Sequence, residues 1–291
     1  MQTVNTEVKA QLIKQHPLIE RYRNKSYLIK YGGAAMDKQE VKKSVCQEIA
    51  ILASLGIRII VVHGGGKEIS RTLERLSIPS KFIGGLRVTS PEAMSAIEMV
   101  LSGNINKDLA SLITQLGAPA IGISGRDAHI LEGTTIKGLN DSDLGLAGEV
   151  ALCDPNPINA IVELGYIPVL SPVAETSDGK PININADYAA ATLAGALKTS
   201  ACIFLTDVDG VRRSGRIEES LSPQLIDSMI SDGTITGGMI PKVQCALKAL
   251  SAGCPQATIC NAERTFPVTN AILRAPGAGT VVEQDKVEQD K

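Results

Sequence analysis

Two rhythms of apolar and polar positions alternate along this chain. Short, near-continuous apolar runs recur at SYLIKY (26–31), IRIIVV (57–62), APAIGIS (118–124), YIPVLSPV (166–173), ACIFLTDV (201–208) and ATIC (257–260), the last clear one. Runs of this length are those of strands covered on both faces. Between them apolar residues recur three or four apart. Residues 37–55 place Val41, Val45, Ile49 and Leu52 on one side, and Gly56 stops the helix. Helices are likewise predicted over 67–76, 91–101, 105–116, 186–197, 222–232 and 239–252. The stretch from HILEGTTI to Glu149 reads as β-hairpin material turning at Gly138 and Asp141. This alternation predicts an α/β protein: a mainly parallel sheet, helices on both faces, right-handed crossovers. Before the first strand, residues 6–22 carry Val8, Leu12, Ile13, Ile19 and Tyr22 on roughly one helical face, divided at Pro17. Such an extension packs on its own domain or holds a partner subunit, and the periodicity leaves both open. At the other end VEQDK repeats across 282–291, a polar stretch expected to be a solvated tail.

Composition narrows the functional classes. The 291 residues suffice for one large or two medium α/β domains. With no Trp and 3% aromatic residues, the core must be aliphatic. A net charge of −2 supplies no basic footprint for nucleic acid. No apolar run reaches the roughly 18 residues of a membrane span. The N-terminus lacks the apolar segment of a secretory signal, so a cytoplasmic location is expected. Cys46, Cys153, Cys202, Cys245, Cys254 and Cys260 form no C-x-x-C pair and sit mostly in apolar runs, as buried reduced thiols do. His16, His63 and His129 share no ligand spacing, so a protein-held metal site is not expected.

The candidate chemistry lies in glycine turns. In IKYGGAAM, Lys30 ends a strand and Gly32 and Gly33 follow; in VVHGGGKEIS a strand ends at His63 and Gly64, Gly65 and Gly66 open a helix. Bare backbone at the carboxyl end of a parallel strand suits a phosphate, although such glycines also serve simple turns. Neither stretch is a Walker loop or a G-x-G-x-x-G fingerprint. In GTITGGMIPK, Gly237 and Gly238 precede a helix carrying Lys242 in its first turns. A lysine there opposes the helix dipole unless an anion binds both; the alternative is an exposed helix lysine. In PININADYAAA, Asp187 is either an N-cap or a buried carboxylate that fixes two lysines, with Asn183 and Asn185 beside it. In IGGLRVTS, Arg87 is a planar fork for a carboxylate or a surface residue. Two lysines and several backbone N–H groups are what phosphoryl transfer needs. No strong general base stands out, and a carboxylate acceptor, ionised at neutral pH, needs none.

KYGG, VHGGG, GLRVT, ININAD, TDVDG and GGMIPK, in this order, resemble the acetylglutamate kinases of the amino acid kinase family. The resemblance runs from about Ser26 to Thr280. It implies an open eight-stranded, mainly parallel αβα sandwich with an N-terminal helical extension. The implied division is 1–25 for the extension, 26–180 for the acceptor-binding and dimerising lobe, 181–281 for the ATP lobe and 282–291 for the tail. It implies transfer of the γ-phosphoryl group of ATP to the side-chain carboxylate of N-acetyl-L-glutamate, with Mg²⁺ carried by phosphates and water. Lys30 and Lys242 would stabilise the group in transfer, and Asp187 would hold both. Gly32, Gly33 and Gly65 would give N–H groups to the γ-phosphate region. Gly65, Gly66, Arg87 and Asn183 would bind the acceptor, a side chain at Gly65 or Gly66 occupying its place. Thr206, Asp207, Val208, Gly210, Gly237 and Gly238 would hold the nucleotide. A same-fold kinase for another carboxylate, such as an aminoadipate derivative, and a non-catalytic sensor are the alternatives.

The chain departs from the family pattern at Lys67, where proline is common, and at Ala34, where asparagine is common. Residues 6–22 resemble the helix that interlaces dimers into hexamers in arginine-inhibited members. At the C-terminal end Thr258 and Arg274 stand where those members carry His and Glu, and a cation at 274 would repel a guanidinium. A homo-oligomer is implied, dimer or hexamer, with poor inhibition by arginine. A PII-type signalling partner, known in some lineages, is neither supported nor opposed by these residues.

Overall fold

The computed structural model describes residues 4–138 and 141–285. The helices are α1 (Thr6–Gln15), α2 (Gln39–Ser54), α3 (Gly66–Arg75), α4 (Pro91–Glu98), α5 (Asn106–Gln115), α6 (Asn156–Glu163), α7 (Ala186–Ala196), α8 (Pro223–Ser231), α9 (Met239–Ser251) and α10 (Pro267–Leu273). The first strands are β1 (Ser26–Tyr31), β2 (Arg58–His63), β3 (Lys81–Ile83), β4 (Leu86–Val88), β5 (Ala120–Ser124), β6 (Leu131–Lys137), β7 (Asp143–Cys153) and β8 (Ile167–Ser171). The rest are β9 (Val173–Glu175), β10 (Pro181–Ile184), β11 (Ala201–Thr206), β12 (Arg212–Arg213), β13 (Arg216–Ile217), β14 (Ser220–Leu221), β15 (Gln256–Asn261) and β16 (Thr280–Glu283).

Eight strands form the main sheet in the order β14-β16-β15-β11-β1-β2-β8-β5. From β15 to β5 neighbouring strands are parallel. β16 runs antiparallel to β15, and β14 follows β16. The sandwich expected from the strand–helix alternation is therefore present, with an antiparallel edge. β6, β7, β9 and β10 close into a small barrel beside it. Among the described residues no helix is long and apolar enough to cross a membrane.

Side-chain parity divides the interior into two cores. Tyr27, Ile29, Ile59, Val61, Ile203 and Leu205 point to one face, covered by Val45, Ile49 and Leu52 of α2 and by Ile97 and Leu109. Leu28, Ile60, Val62, Cys202 and Phe204 point to the other, under the alanines of α7 and Val243 and Ala246 of α9. Each large aliphatic side chain buried this way contributes about 2 kcal/mol. Leu12 and Ile19 are fully buried in the first core, so the N-terminal extension packs on its own chain.

Several expectations change. The helices expected at 91–101 and 105–116 form one helical run, joined by a π-helical segment over Met99–Ile105. The single strand expected at 166–173 is two, because Pro172 lacks an N–H for the ladder and Val173–Glu175 leaves for the barrel. ATIC is not the last strand: β16 follows it, and Val282, assigned to the polar tail, is fully buried between β14 and β15. The rest of the repeat, 286–291, lies outside the described residues. The helices α6 and α10 and the β3–β4 hairpin were not anticipated.

Candidate active site

The carboxyl ends of β2, β1, β11 and β15 lie side by side, with Tyr31 opposite both His63 and Leu205, and Thr206 opposite Asn261. Open α/β sheets bind ligands at this edge. Gly64 N–H donates to Tyr31 O (2.9 Å), so the two glycine turns leave the sheet already joined.

Lys30 falls on the Leu28 side of β1 and therefore faces α7. The alanines of α7 bring that helix close to the sheet. Its N-cap is Asn185, whose Oδ1 accepts from the Asp187 N–H (2.8 Å), and this leaves the Asp187 side chain free of capping. Asp187 Oδ1 meets Lys30 Nζ at 2.7 Å. The Lys30 side chain lies across Gly32, where a Cβ would stand 2.8 Å from Nζ, so the glycine makes room for the cation.

Lys242, in the first turn of α9, does not pair with Asp187 as expected. Its Nζ donates to Thr206 Oγ1 (2.8 Å) and lies 3.7 Å from Asp207 Oδ1. Thr206 Oγ1–H in turn donates to Asp207 Oδ1 (3.0 Å). These contacts, the threonine first, hold the Asp207 carboxyl below the usual carboxylate range. Each lysine thus has its own carboxylate.

Two cavities meet at the Lys30–Asp187 pair. One, of about 200 Å³, is lined by Lys30, Gly65, Gly66, Arg87, Asn183 and Asp187, among others. The other, of about 210 Å³, is lined by Lys30, Gly32, Gly33, Asp187, Thr206 and Lys242, among others. Lys30, Gly33 and Asp187 border both. A further cavity of about 390 Å³ continues from Asp207 along Val208 and Gly210 to Met239. Gly237 and Gly238 form the turn before α9 but line none of these three cavities. A larger cavity, about 630 Å³, runs past Gly33 and Gly65 to Lys42 and Asp108. It holds neither Lys30 nor Lys242, so the candidate chemistry sits in the smaller pair.

Arg87 is a nearly buried wall rather than a surface residue. Its Nη2 donates to Gly66 O (3.0 Å) and Ser70 Oγ (2.9 Å), its Nη1 to Ser80 Oγ, and the guanidinium lies 4.5 Å from the Phe82 ring centre. Burial lowers its pKa. The β3–β4 hairpin that carries it escaped the sequence reading because KFI and LRV are three-residue strands without a sustained pattern. Asn183 on β10 reaches the same cavity, with Nδ2 donating to Thr89 Oγ1 (3.2 Å).

The glycines of the second turn answer to different neighbours. A Cβ on Gly65 would fall 2.7 Å from Leu101 Cδ2 and closer still to Ile105 Cδ1, both on the π-helical segment. A Cβ on Gly66 would meet nothing within 4 Å. The expectation that a side chain at Gly65 would fill the acceptor's place is corrected: it would first strike the π-helical segment, and only Gly66 opens onto free space. Lys67, the departure from the family pattern, pairs with Asp37 at 2.7 Å and links the rims of the two turns. Asp209, within the TDVDG motif, lines the 390 Å³ cavity, and its Oδ1 accepts from Asn261 Nδ2 (3.0 Å) and Arg264 Nε (3.0 Å).

The profile of the amino acid kinase family matches residues 25–261. The chain is 42% identical over 270 residues to the chloroplastic acetylglutamate kinase of Arabidopsis thaliana, covering 91% of this chain and 77% of that one. It is 40% identical over 277 residues to the acetylglutamate kinase of Campylobacter curvus, covering 95% and 98%. N-acetylglutamate synthase from Neisseria gonorrhoeae superposes with a TM-score of 0.81 at 21% identity, covering 97% of this chain and 64% of the synthase. Carbamate kinase from Giardia lamblia gives 0.63 at 18%, covering 90% and 99%. The two structural likenesses speak for the fold alone. With a profile spanning most of the chain and relatives at this identity, the chain belongs to the amino acid kinase family.

Proposed function

We propose that this chain transfers the γ-phosphoryl group of ATP to the side-chain carboxylate of N-acetyl-L-glutamate. The products are ADP and N-acetyl-L-glutamyl 5-phosphate, the second step of arginine biosynthesis, carried out in the cytoplasm. The observation that carries the reading is the Lys30–Asp187 pair on the border between two cavities. The names of relatives near 40% identity supply the acceptor.

In this reading the acceptor lies in the cavity of Gly65, Gly66, Arg87 and Asn183, with Arg87 toward a carboxylate. The nucleotide lies along Thr206, Asp207, Val208 and Gly210, its phosphates reaching Gly32, Gly33 and Lys242. The lobe of 26–180 thus takes the acceptor, and that of 181–281 takes ATP. One acceptor oxygen forms a bond to γ-phosphorus while the bond from phosphorus to the β-bridging oxygen breaks, and that oxygen leaves on ADP. No proton moves, because the attacking carboxylate is already ionised. Lys30 and Lys242 neutralise charge on the group in flight, and preorganised cations of this kind supply much of the acceleration. Asp187 positions Lys30. Mg²⁺ enters as part of the nucleotide substrate. Asp187 and Asp207 face Lys30 and Lys242 and do not fit as direct metal ligands. Assembly as a homo-oligomer is carried over from the resemblance, its size open to sedimentation analysis.

The test is ATP-dependent acyl-phosphate formation, trapped as the hydroxamate, with N-acetyl-L-glutamate beside glutamate, aspartate and N-acetyl-aminoadipate. Turnover confined to N-acetyl-L-glutamate is expected. Preference for another acid would move the substrate, and a folded, ATP-binding chain inactive on all four would sink the reading.

A further inference from the structure

His63 ends β2 and opens the second glycine turn, yet it lines neither of the two cavities that meet at Lys30. It is completely buried. Both ring nitrogens are engaged: Nδ1 lies 2.9 Å from Gly64 O, and Nε2 lies 3.1 Å from Asn106 Nδ2. Asn106 is also completely buried, at the point where the π-helical segment passes into α5.

The protonation follows from the partners. Gly64 O only accepts, so Nδ1 carries the hydrogen. The Asn106 amide is oriented independently of His63: Nδ2 faces Val169 O (2.8 Å) and Ile123 O (3.1 Å), and Oδ1 accepts from Lys107 Nζ (3.2 Å). Its nitrogen has no lone pair to accept with, so the Nε2 facing it must hold one, and the two Nδ2 hydrogens are shared among Nε2 and the two carbonyls. His63 is thus neutral, with the proton on Nδ1. Burial, chiefly, and the ammonium groups of Lys107 on α5 and Lys42 on α2 push its pKa down to about 4. Space is reserved for this arrangement, because a Cβ on Gly122 would overlap Asn106 Oδ1.

The consequence reaches the site through one peptide. The Gly64–Gly65 unit is planar, so a carbonyl drawn to His63 turns the Gly65 N–H to the opposite side. Gly65 faces Leu101 and Ile105 of the π-helical segment that leads into Asn106, where a Cβ on it would strike both side chains. We propose that His63 and Asn106 are positioning residues that set the Gly64–Gly65 peptide for phosphoryl transfer. This rests on the functional reading above, and it adds residues that touch neither substrate.

Two measurements test it on the full chain. In two-bond ¹⁵N–¹H spectra of histidine-labelled protein, assigned by loss of signals in H63N, His63 is expected as the neutral Nδ1–H form. It should stay so from pH 8 to about pH 5. An Nε2–H form, or titration near the ordinary histidine range, would overturn the pair. This readout needs no turnover, so it separates failure of the pair from failure of the functional reading. In kinetics, H63L should lower kcat about tenfold or more with the ATP KM little changed, since a misaimed donor costs the transition state most. H63N, whose side-chain N–H can still donate to Gly64 O, should recover most of that loss. Wild-type kcat in H63L, or no recovery in H63N, would overturn the proposal. The tautomer measurement stands even where H63L fails to fold.

Discussion

Lys30 owes its direction to residue parity. In a strand alternate side chains face opposite sides, so position 30 shares the Leu28 face, away from Ile29 and Tyr31. Lys30→Ala should therefore leave the fold intact and lower kcat by about a hundredfold or more. Hydroxamate assays with melting curves as a folding control check this, and near-normal turnover would remove Lys30 from the chemistry. The neighbouring glycines separate two effects. Gly65→Ala places a methyl against Leu101 and Ile105. Overpacking of this kind costs about 1–3 kcal/mol, visible in urea unfolding. Gly66→Ala, facing open space, should keep its stability and raise the acceptor KM instead. The two variants behaving alike would contradict this division.

At the scale of elements, α2 and α10 are joined by one buried acid. Glu48 of α2 is fully buried; Oε1 accepts from the Thr269 N–H and Oγ1–H (2.6 Å each), and Oε2 from the Val268 N–H (3.3 Å). It thereby serves the N-terminus of α10, whose preceding residue, Phe266, is left-handed and offers no side-chain cap. Burial raises the Glu48 pKa to about 7 against these hydrogen bonds, which lower it. The native state then binds a proton that the unfolded chain, titrating at 4.5, has lost. Stability from this group is full below pH 4.5 and falls as pH rises to about 7, by at most ~3 kcal/mol. Urea unfolding of wild type and Glu48→Gln across this range should show the slope only in the wild type. A slope shared by both would assign it to other groups. The elements the sequence concealed share a physical cause. α10 has seven residues and β16 four, too short for a period to show, and β16 is recognisable only through the strands on either side of it.

For the molecule as a whole, the N-terminal extension is part of the core. Leu12 reaches the cluster that also holds Ile49 and Leu52. Leu12→Ala should cost about 2–5 kcal/mol, lowering both Tm and the urea midpoint. An unchanged midpoint would mean that the helix is held elsewhere. The two catalytic candidates with opposite positions in the sequence, Lys30 and Lys242, meet only because β1 and β11 are neighbours in the sheet. Saturating ATP should raise the Tm of the wild type by linkage, and Lys242→Met should reduce that rise at equal nucleotide. An undiminished rise would place Lys242 outside the nucleotide site.

What the sequence determined by itself was what short-range pattern and residue chemistry carry. Continuous apolar runs marked the parallel strands, 3.6-residue spacing marked the long helices, and ordered glycine, lysine and asparagine motifs marked the family and its site. Tertiary structure alone decided the pairings. Asp187 took one lysine rather than two because Thr206 and Asp207 lie nearer Lys242. Gly65 lacks a side chain because of a π-helical segment some forty residues away, and His63 is held by Asn106 across 43 positions. Contacts of that range depend on which strands lie side by side and how closely helices cover them, and no local periodicity encodes either.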